Sequence, residues 1–397
     1  MVPRAAAVYL GVVQFLFATT WTLYVIYLPS LAAKAGIAKE WVPWILVADQ
    51  VVFALMDVVA GFWVDRLRAG LARLGGWILG ATLVSAAAFL ALPFAGGSST
   101  LLLGAALVWA LTSSALRSPP WALLSRYAAA PSVPWLSTLM LTGTAVAGAL
   151  APYLGVALRD VDPRLPFAIS TLVLAAAVGG LVWVERRLQG AQPAPAGDAD
   201  PPFDVASPEG RRLLIAFFAG LALLAAGFQV HFAMNSAGQY LRFAAREDLQ
   251  WLMPVFWIGF NLAMFPMSGV VKRRGAVSVM AVAGALGALA SAAAAWAPGL
   301  GALVAAQLVA GACWGAISVA AFSAVVAFGR ASREGAMLGS LFAVLALAAF
   351  ARIAATASGL PAVPEAKSLL PWLPNMAWLG AAILLTLVVG TARRRAL

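Results

Sequence analysis

Val42 to Leu74, VPWILVADQVVFALMDVVAGFWVDRLRAGLARL, is the stretch whose reading decides the fold. It opens as an apolar run long enough, at 1.5 Å per residue, to carry a helix across roughly 30 Å of hydrocarbon. It closes on Gly61-Phe62-Trp63-Val64-Asp65-Arg66-Leu67-Arg68, with Arg73 beyond. Inside the run stand two carboxylates, Asp49 and Asp57. An ionised group at that depth costs several kcal/mol unless something holds it. Each acid therefore needs a partner or a task.

Composition sets the solvent. The chain has 397 residues, 63% of them hydrophobic and 10% charged, and its mean hydropathy is +0.92. So much apolar surface does not fit inside one aqueous core and belongs in a bilayer. The net charge of +11 would point to nucleic acid in a soluble protein. Here the cations cluster in short segments between apolar runs, which is a topology signal and argues against a nucleic-acid partner. The single Cys313 lies in an apolar run, so neither a disulfide framework nor a cysteine metal site is expected.

Twelve apolar runs follow one another, near 7–32, 42–64, 75–95, 100–125, 136–158, 165–184, 213–238, 250–271, 277–297, 301–328, 336–358 and 375–392. We number them as spans 1 to 12. Alternate connectors carry Arg4; Arg66, Arg68 and Arg73; Arg126; Arg186, Arg187, Arg211 and Arg212; Lys272, Arg273 and Arg274; Arg330 and Arg333; and Arg393, Arg394 and Arg395. The opposite connectors hold only Lys34, Lys39, Arg159, Arg164, Arg242, Arg246 and Lys367. By the positive-inside rule the richer set is cytoplasmic, so both termini are expected inside a bacterial inner membrane. Between spans 6 and 7 the composition shifts to a Pro- and acid-rich connector that cannot fold alone. The expected organisation is an N-terminal six-helix bundle at 1–188, a cytoplasmic linker at 189–211 and a C-terminal six-helix bundle at 212–397, all α-helical and pseudo-symmetric.

With that layout, Gly61-Phe62-Trp63-Val64-Asp65-Arg66 resembles the opening of the signature that the major facilitator superfamily carries after its second span. The late Arg73 and the acid at Asp57 are more similar to the glycoside-pentoside-hexuronide cation symporter branch, although Val58 replaces that branch's proline and Phe53 stands where it often has a second acid. The second-half counterpart, Gly269 to Gly275, keeps the charge and lacks the aspartate. The resemblance implies two bundles that rock around a midplane site. It also implies that spans 2 and 11 pack across the halves, and that Asp65, with Gly61 and Arg66, forms a gate against the start of span 11 near Gly339.

Depth pairs the buried charges. Asp57 lies eight residues above Asp65 and Arg117 nine above Arg126, both about 12–13 Å from the basic end. Asp49 and Arg352 share a level near the other end and are expected to form a second gate. The competing readings are that Arg352 snorkels outward and that Asp49 is held by Gln50 or a span 1 hydroxyl. Ser118-Pro119-Pro120 removes two backbone donors and is expected to loosen span 4. In span 7, His231, Asn235 and Gln239 share a helix face with Gln229 close by, a polar stripe expected to line a cavity. Further site candidates are Gln14, Thr19 and Thr20 in span 1 and Gln307 and Trp314 in span 10, against ordinary interhelical packing.

No phosphate loop, metal spacing or nucleophile constellation stands in the chain, so neither ATP drive, a metal or other cofactor, nor enzymatic chemistry is expected. The reading is a monomeric secondary transporter, proton-coupled through Asp57 and Arg117, for a small polar solute such as a sugar or carboxylate. Proton-driven efflux of lipophilic drugs and a non-transporting membrane sensor or scaffold stand as the alternatives.

Overall fold

The computed structural model describes residues 4–66, 74–117, 119–121, 130–189, 203, 205–329 and 333–396. Its twelve long helices are α1 (Arg4–Lys34), α2 (Val42–Arg66), α3 (Leu74–Ala91), α4 (Ser99–Ser113), α5 (Val133–Ala157), α6 (Arg164–Gln189), α7 (Pro208–Tyr240), α8 (Pro254–Arg274), α9 (Ala276–Ala295), α10 (Leu300–Gly329), α11 (Glu334–Ala357) and α12 (Leu373–Ala396). They correspond in order to spans 1 to 12. Ten are long and apolar enough to cross a membrane, and Ser99–Ser113 and Arg164–Gly180 are shorter apolar helices. No strand occurs among the described residues, as expected where lipid offers no partner for an open ladder.

The helices pack in a pattern that repeats after six. The pairs α1 with α5, α1 with α6, α2 with α4, α3 with α4 and α3 with α6 recur as α7 with α11, α7 with α12, α8 with α10, α9 with α10 and α9 with α12. The two largest contacts between halves obey the same rule, since α2 lies on α11 and α8 lies on α5. This is a pseudo-twofold arrangement of two six-helix units. The connector between them is described only at Phe203 and from Val205 on, where Phe203 packs on Phe328 with ring centroids 5.0 Å apart.

Small residues let the backbones approach. A side chain added at Gly143 of α5 would run into the backbone of α1 at Gly11, and one added at Gly259 of α8 into α10 at Leu308. Apolar tails offer no hydrophobic drive between helices, so this close packing is what holds them. Trp378 of α12 has no exposed surface. It fills a notch over Gly227 and Gly287 and donates its indole N–H to the Leu224 carbonyl at 2.8 Å. At the basic end α8 turns into α9 through Gly275 alone, whose φ of 84° suits a residue without a Cβ.

Span 4 departs from a regular helix, as the proline pair anticipates. Its α-helix stops at Ser113 and continues as a 3-10 turn over Ser114–Leu116, and Arg117 takes φ −91° and ψ −84°. The freed Leu116 carbonyl is not left open, because Gln14 of α1 donates its amide to it at 2.8 Å.

The packing predicts that Gly143→Leu lowers stability by about 1–3 kcal/mol, seen as a lower thermal midpoint in detergent. Gly76→Leu, with nothing close to its added Cβ, should leave that midpoint unchanged. An equal midpoint for both variants would contradict the close α1–α5 contact.

Candidate functional site

The site begins where α2 crosses α11. Gly61 of α2 and Gly335 and Gly339 of α11 lie so close that a Cβ on any of them would strike the opposite backbone. That approach brings the Asp65 side chain onto the first turn of α11. Its Oδ1 accepts the Gly335 N–H and its Oδ2 the Ala336 N–H, each at 2.8 Å. A carboxylate spanning two free amides at the positive end of a helix dipole is a strong anchor. The neighbouring Arg66 is exposed. Arg68, Arg73, Arg126 and Arg330 lie outside the described residues. Closure of the basic end is reinforced by Trp121, which stacks on Phe322 of α10 with centroids 4.0 Å apart and meets Phe342 of α11 edge-on.

Two turns deeper, Asp57 has no exposed surface. Its Oδ2 lies 3.1 Å from a terminal nitrogen of Arg117, so the two charges placed at one depth from sequence do meet. The buried Ser114 stands beside the same carboxylate. The guanidinium also lies over two rings, at 5.1 Å from Phe53 and 5.5 Å from Phe342. Such contacts stabilise a cation withdrawn from water. Phe53, at the position of a second acid in the resembled branch, is thus one wall of the cation site. Phe342 belongs to α11, so the pair is bounded by both halves of the molecule.

Toward the other end, Asp49 and Arg352 do not pair in this structure. Asp49 accepts the Tyr24 hydroxyl of α1 at 2.9 Å, the span 1 hydroxyl that the sequence left as an alternative. Arg352 donates its Nε to Gln229 Oε1 at 3.0 Å. Each is satisfied inside its own half while the basic end is closed.

The polar groups of span 7 make contacts between helices. A π-helical turn occupies Gln229–Asn235, and its wider winding shifts the register by which i, i+4 and i+8 share a face. His231 has no exposed surface. Its Nε2 lies 3.0 Å from Gln307 Oε1, and the Gln307 amide donates to Gln239 Oε1 at 2.9 Å. Asn235 turns elsewhere and donates to the Leu370 carbonyl at 2.8 Å. These groups tie α7 to α10 and to the segment before α12. Thr19 and Thr20 bond back to carbonyls of their own helix, Phe15 and Phe17. Trp314 is buried and stacks on Phe228 with centroids 4.5 Å apart.

Three groups escaped the sequence reading. Tyr24 sits in an apolar run as one aromatic among many, and its role shows only once α1 lies on α2. Phe342 is likewise unremarkable until α11 crosses α2. Phe228, Phe232 and Trp257 form an aromatic cluster with Trp314, for which the clustering of large rings in spans 7 and 8 was the available signal. Among the described residues no group of three His, Cys, Asp or Glu side chains is disposed to hold a metal ion, and Cys313 is buried.

Two six-helix units in twofold relation, closed at one end by an acid on a helix start, define a multi-pass membrane transporter. The family model described as Major Facilitator Superfamily matches residues 10–351, and the chain belongs to that family. Among solved structures it is similar to a bacterial homologue of the iron transporter ferroportin in an outward-facing state, with TM-score 0.76, 12% identity and coverage of 97% of this chain and 99% of that one. It is also similar to the transporter FucP in its outward conformation, with TM-score 0.70, 15% identity and coverage of 96% and 98%. A third is the human organic anion transporter MFSD10, with TM-score 0.67, 16% identity and coverage of 99% and 100%. A comparison with curated proteins finds no match.

The anchor at Asp65 generates a prediction. Asp65→Asn loses the charge and one of two acceptors, a cost of about 2 kcal/mol, which corresponds to roughly a thirtyfold shift toward a basic end that opens. In a Cys313→Ser background, S340C should react faster with a water-soluble thiol reagent when Asp65→Asn is present. An unchanged rate would contradict the gate.

Proposed function

We propose that this protein is a proton-coupled secondary transporter of the bacterial inner membrane, carrying a small polar organic solute such as a sugar or a carboxylate. In this reading two units, 1–188 and 212–397, joined by the linker 189–211, rock as a monomer with both termini cytoplasmic. The observation that carries the coupling is the Asp57–Arg117 pair, fully buried on the acid side and bounded by Phe342 from the other half. Rocking moves α11 relative to α2 and α4, and so removes part of the cation's enclosure. A carboxylate that loses its guanidinium in dry surroundings is not sustained as a bare charge and is neutralised by a proton. The broken span 4 lets Arg117 move without unwinding a continuous helix. Alternation between an ion pair and a protonated acid would link a proton gradient to the motion.

Support for a sugar-like solute rests on the branch resemblance around Asp57 and Gly61, and on FucP, described as a fucose:proton symporter, as one structural relative. A second reading, efflux of lipophilic compounds, is favoured by the Phe228, Phe232, Trp257 and Trp314 cluster, whose faces would take an apolar or aromatic solute. A thermal-shift screen against sugars, carboxylates, amino acids and hydrophobic cations separates the two, because a true ligand raises stability by mass action.

In liposomes under an imposed proton gradient, Asp57→Asn should abolish uphill accumulation of the identified solute and preserve exchange, while Arg117→Ala should also weaken binding. Accumulation by Asp57→Asn at the wild-type level, with an unaltered pH profile, would remove Asp57 from the coupling role.

A second expectation concerns the far gate. Asp49 and Arg352 would meet only when that end closes, so a charge reversal at either should impair transport and the double swap D49R/R352D should restore part of it. No gain in the double swap over both single variants would exclude the pair.

A further inference from the structure

The second half carries a side groove that the transport reading leaves unused. It holds about 670 Å³ and is formed by α8, α9, α10 and α12 with no first-half residue in its lining, and Val282, Leu286 and Val309 in it are exposed. Its floor and walls are apolar, with Met267, Val282, Leu286, Val309 and Cys313 among them. At its basic end stand two exposed arginines from different helices, Arg274 closing α8 and Arg393 in the last turn of α12, and Ser278 in the first turn of α9 also lines it. No described acid forms an ion pair with either arginine. Ser278, Val282 and Leu286 follow one another at four-residue spacing on α9, so the groove runs about 12 Å along the helix from the arginines toward the membrane interior.

A trough of that shape with cations at one end and hydrocarbon walls matches a molecule that is anionic at one end and apolar for the rest. A free phosphate would satisfy the arginines and leave the trough empty. A zwitterionic lipid would fill the trough and bring a positive group to the arginines. We infer that this groove binds an anionic phospholipid of the basic-side leaflet, its phosphate held by Arg274 and Arg393 and one acyl chain laid along α9. Basic pockets between membrane helices have the chemistry that anionic headgroups require.

The position gives the lipid a consequence. The other side of α8 makes the inter-half contact, where Met264 accepts the Thr138 hydroxyl of α5 at 3.3 Å and Trp257 lies against Gly148 of α5. A lipid seated between α8, α9 and α12 braces a helix that makes one of the contacts between the halves.

The test uses the purified full chain in detergent, with phosphatidylglycerol, phosphatidylcholine and inorganic phosphate as separate additions, read by native mass spectrometry and by thermal shift. Wild type should retain phosphatidylglycerol at least fivefold better than phosphatidylcholine and gain thermal stability from it, and inorganic phosphate alone should do neither. R274Q/R393Q should lose the preference, R274K/R393K should recover part of it, and Val282→Trp, which fills the groove and keeps both charges, should lose retention. R211Q/R212Q, at the same end and away from the groove, should behave as wild type. Equal retention of both lipids by wild type, or an undiminished preference in R274Q/R393Q or in Val282→Trp, would overturn the assignment, as would a full stabilisation by inorganic phosphate.

Discussion

A carboxylate with no exposed surface, 3.1 Å from a single guanidinium in the middle of a membrane span, is the constraint around which this molecule is arranged. Removing both ions from water costs several kcal/mol apiece and is offset only by good geometry and further contacts. The surroundings supply these sparingly. Arg117 has the faces of Phe53 and Phe342, and Asp57 has Ser114 beside it. A pair held so economically, at a helix already broken, is suited to coming apart. Breaking a buried pair without replacement costs about 3–5 kcal/mol, which a proton on the acid and a new neighbour for the arginine would offset.

The Asp65 anchor and the Asp57–Arg117 pair share one helix crossing. Asp65, Gly61 and Asp57 lie on α2 at four-residue spacing, and Gly335 and Gly339 of α11 face them. In the proposed mechanism, loosening the carboxylate from the first turn of α11 would let the glycine crossing separate and would withdraw Phe342 from Arg117. The two halves are chemically unequal despite their shared packing pattern. The acids buried among the described residues, Asp49 and Asp57, both stand on α2, whereas the second half answers with Arg352, His231 and amides that bond among themselves. Polar links through Gln307 tie α7 to α10 within that half.

Much of this was legible in the sequence, for physical reasons that can be named. Apolar runs of span length and the alternation of cationic connectors report directly on the bilayer, so the helix count and order followed. Counting residues from each basic end placed Asp57 and Arg117 at one level because helix rise is nearly constant. Ser118-Pro119-Pro120 announced the break in span 4 because proline lacks a donor. The stripe of His231, Asn235 and Gln239 assumed 3.6 residues per turn through a segment that winds as a π-helix; His231 and Gln239 still meet at Gln307, whereas Asn235 turns to Leu370. Nothing in the residue types alone marks that change. The sequence left the partner of Asp49 open between a span 1 hydroxyl and Arg352, because depth alone does not choose between groups at one level; in the structure it is Tyr24.

The most direct test of the account is whether Asp57 changes from a shielded ion to an exposed, protonatable acid when the basic end opens. A lipophilic carbodiimide modifies carboxyl groups only in their protonated form, and peptide mass spectrometry reads the extent at Asp57. The account predicts slow modification in the wild type and several-fold faster modification in Asp65→Asn, falling as pH rises in the variant. Equally slow modification in both proteins across that pH range would show a permanent salt bridge and contradict the coupling.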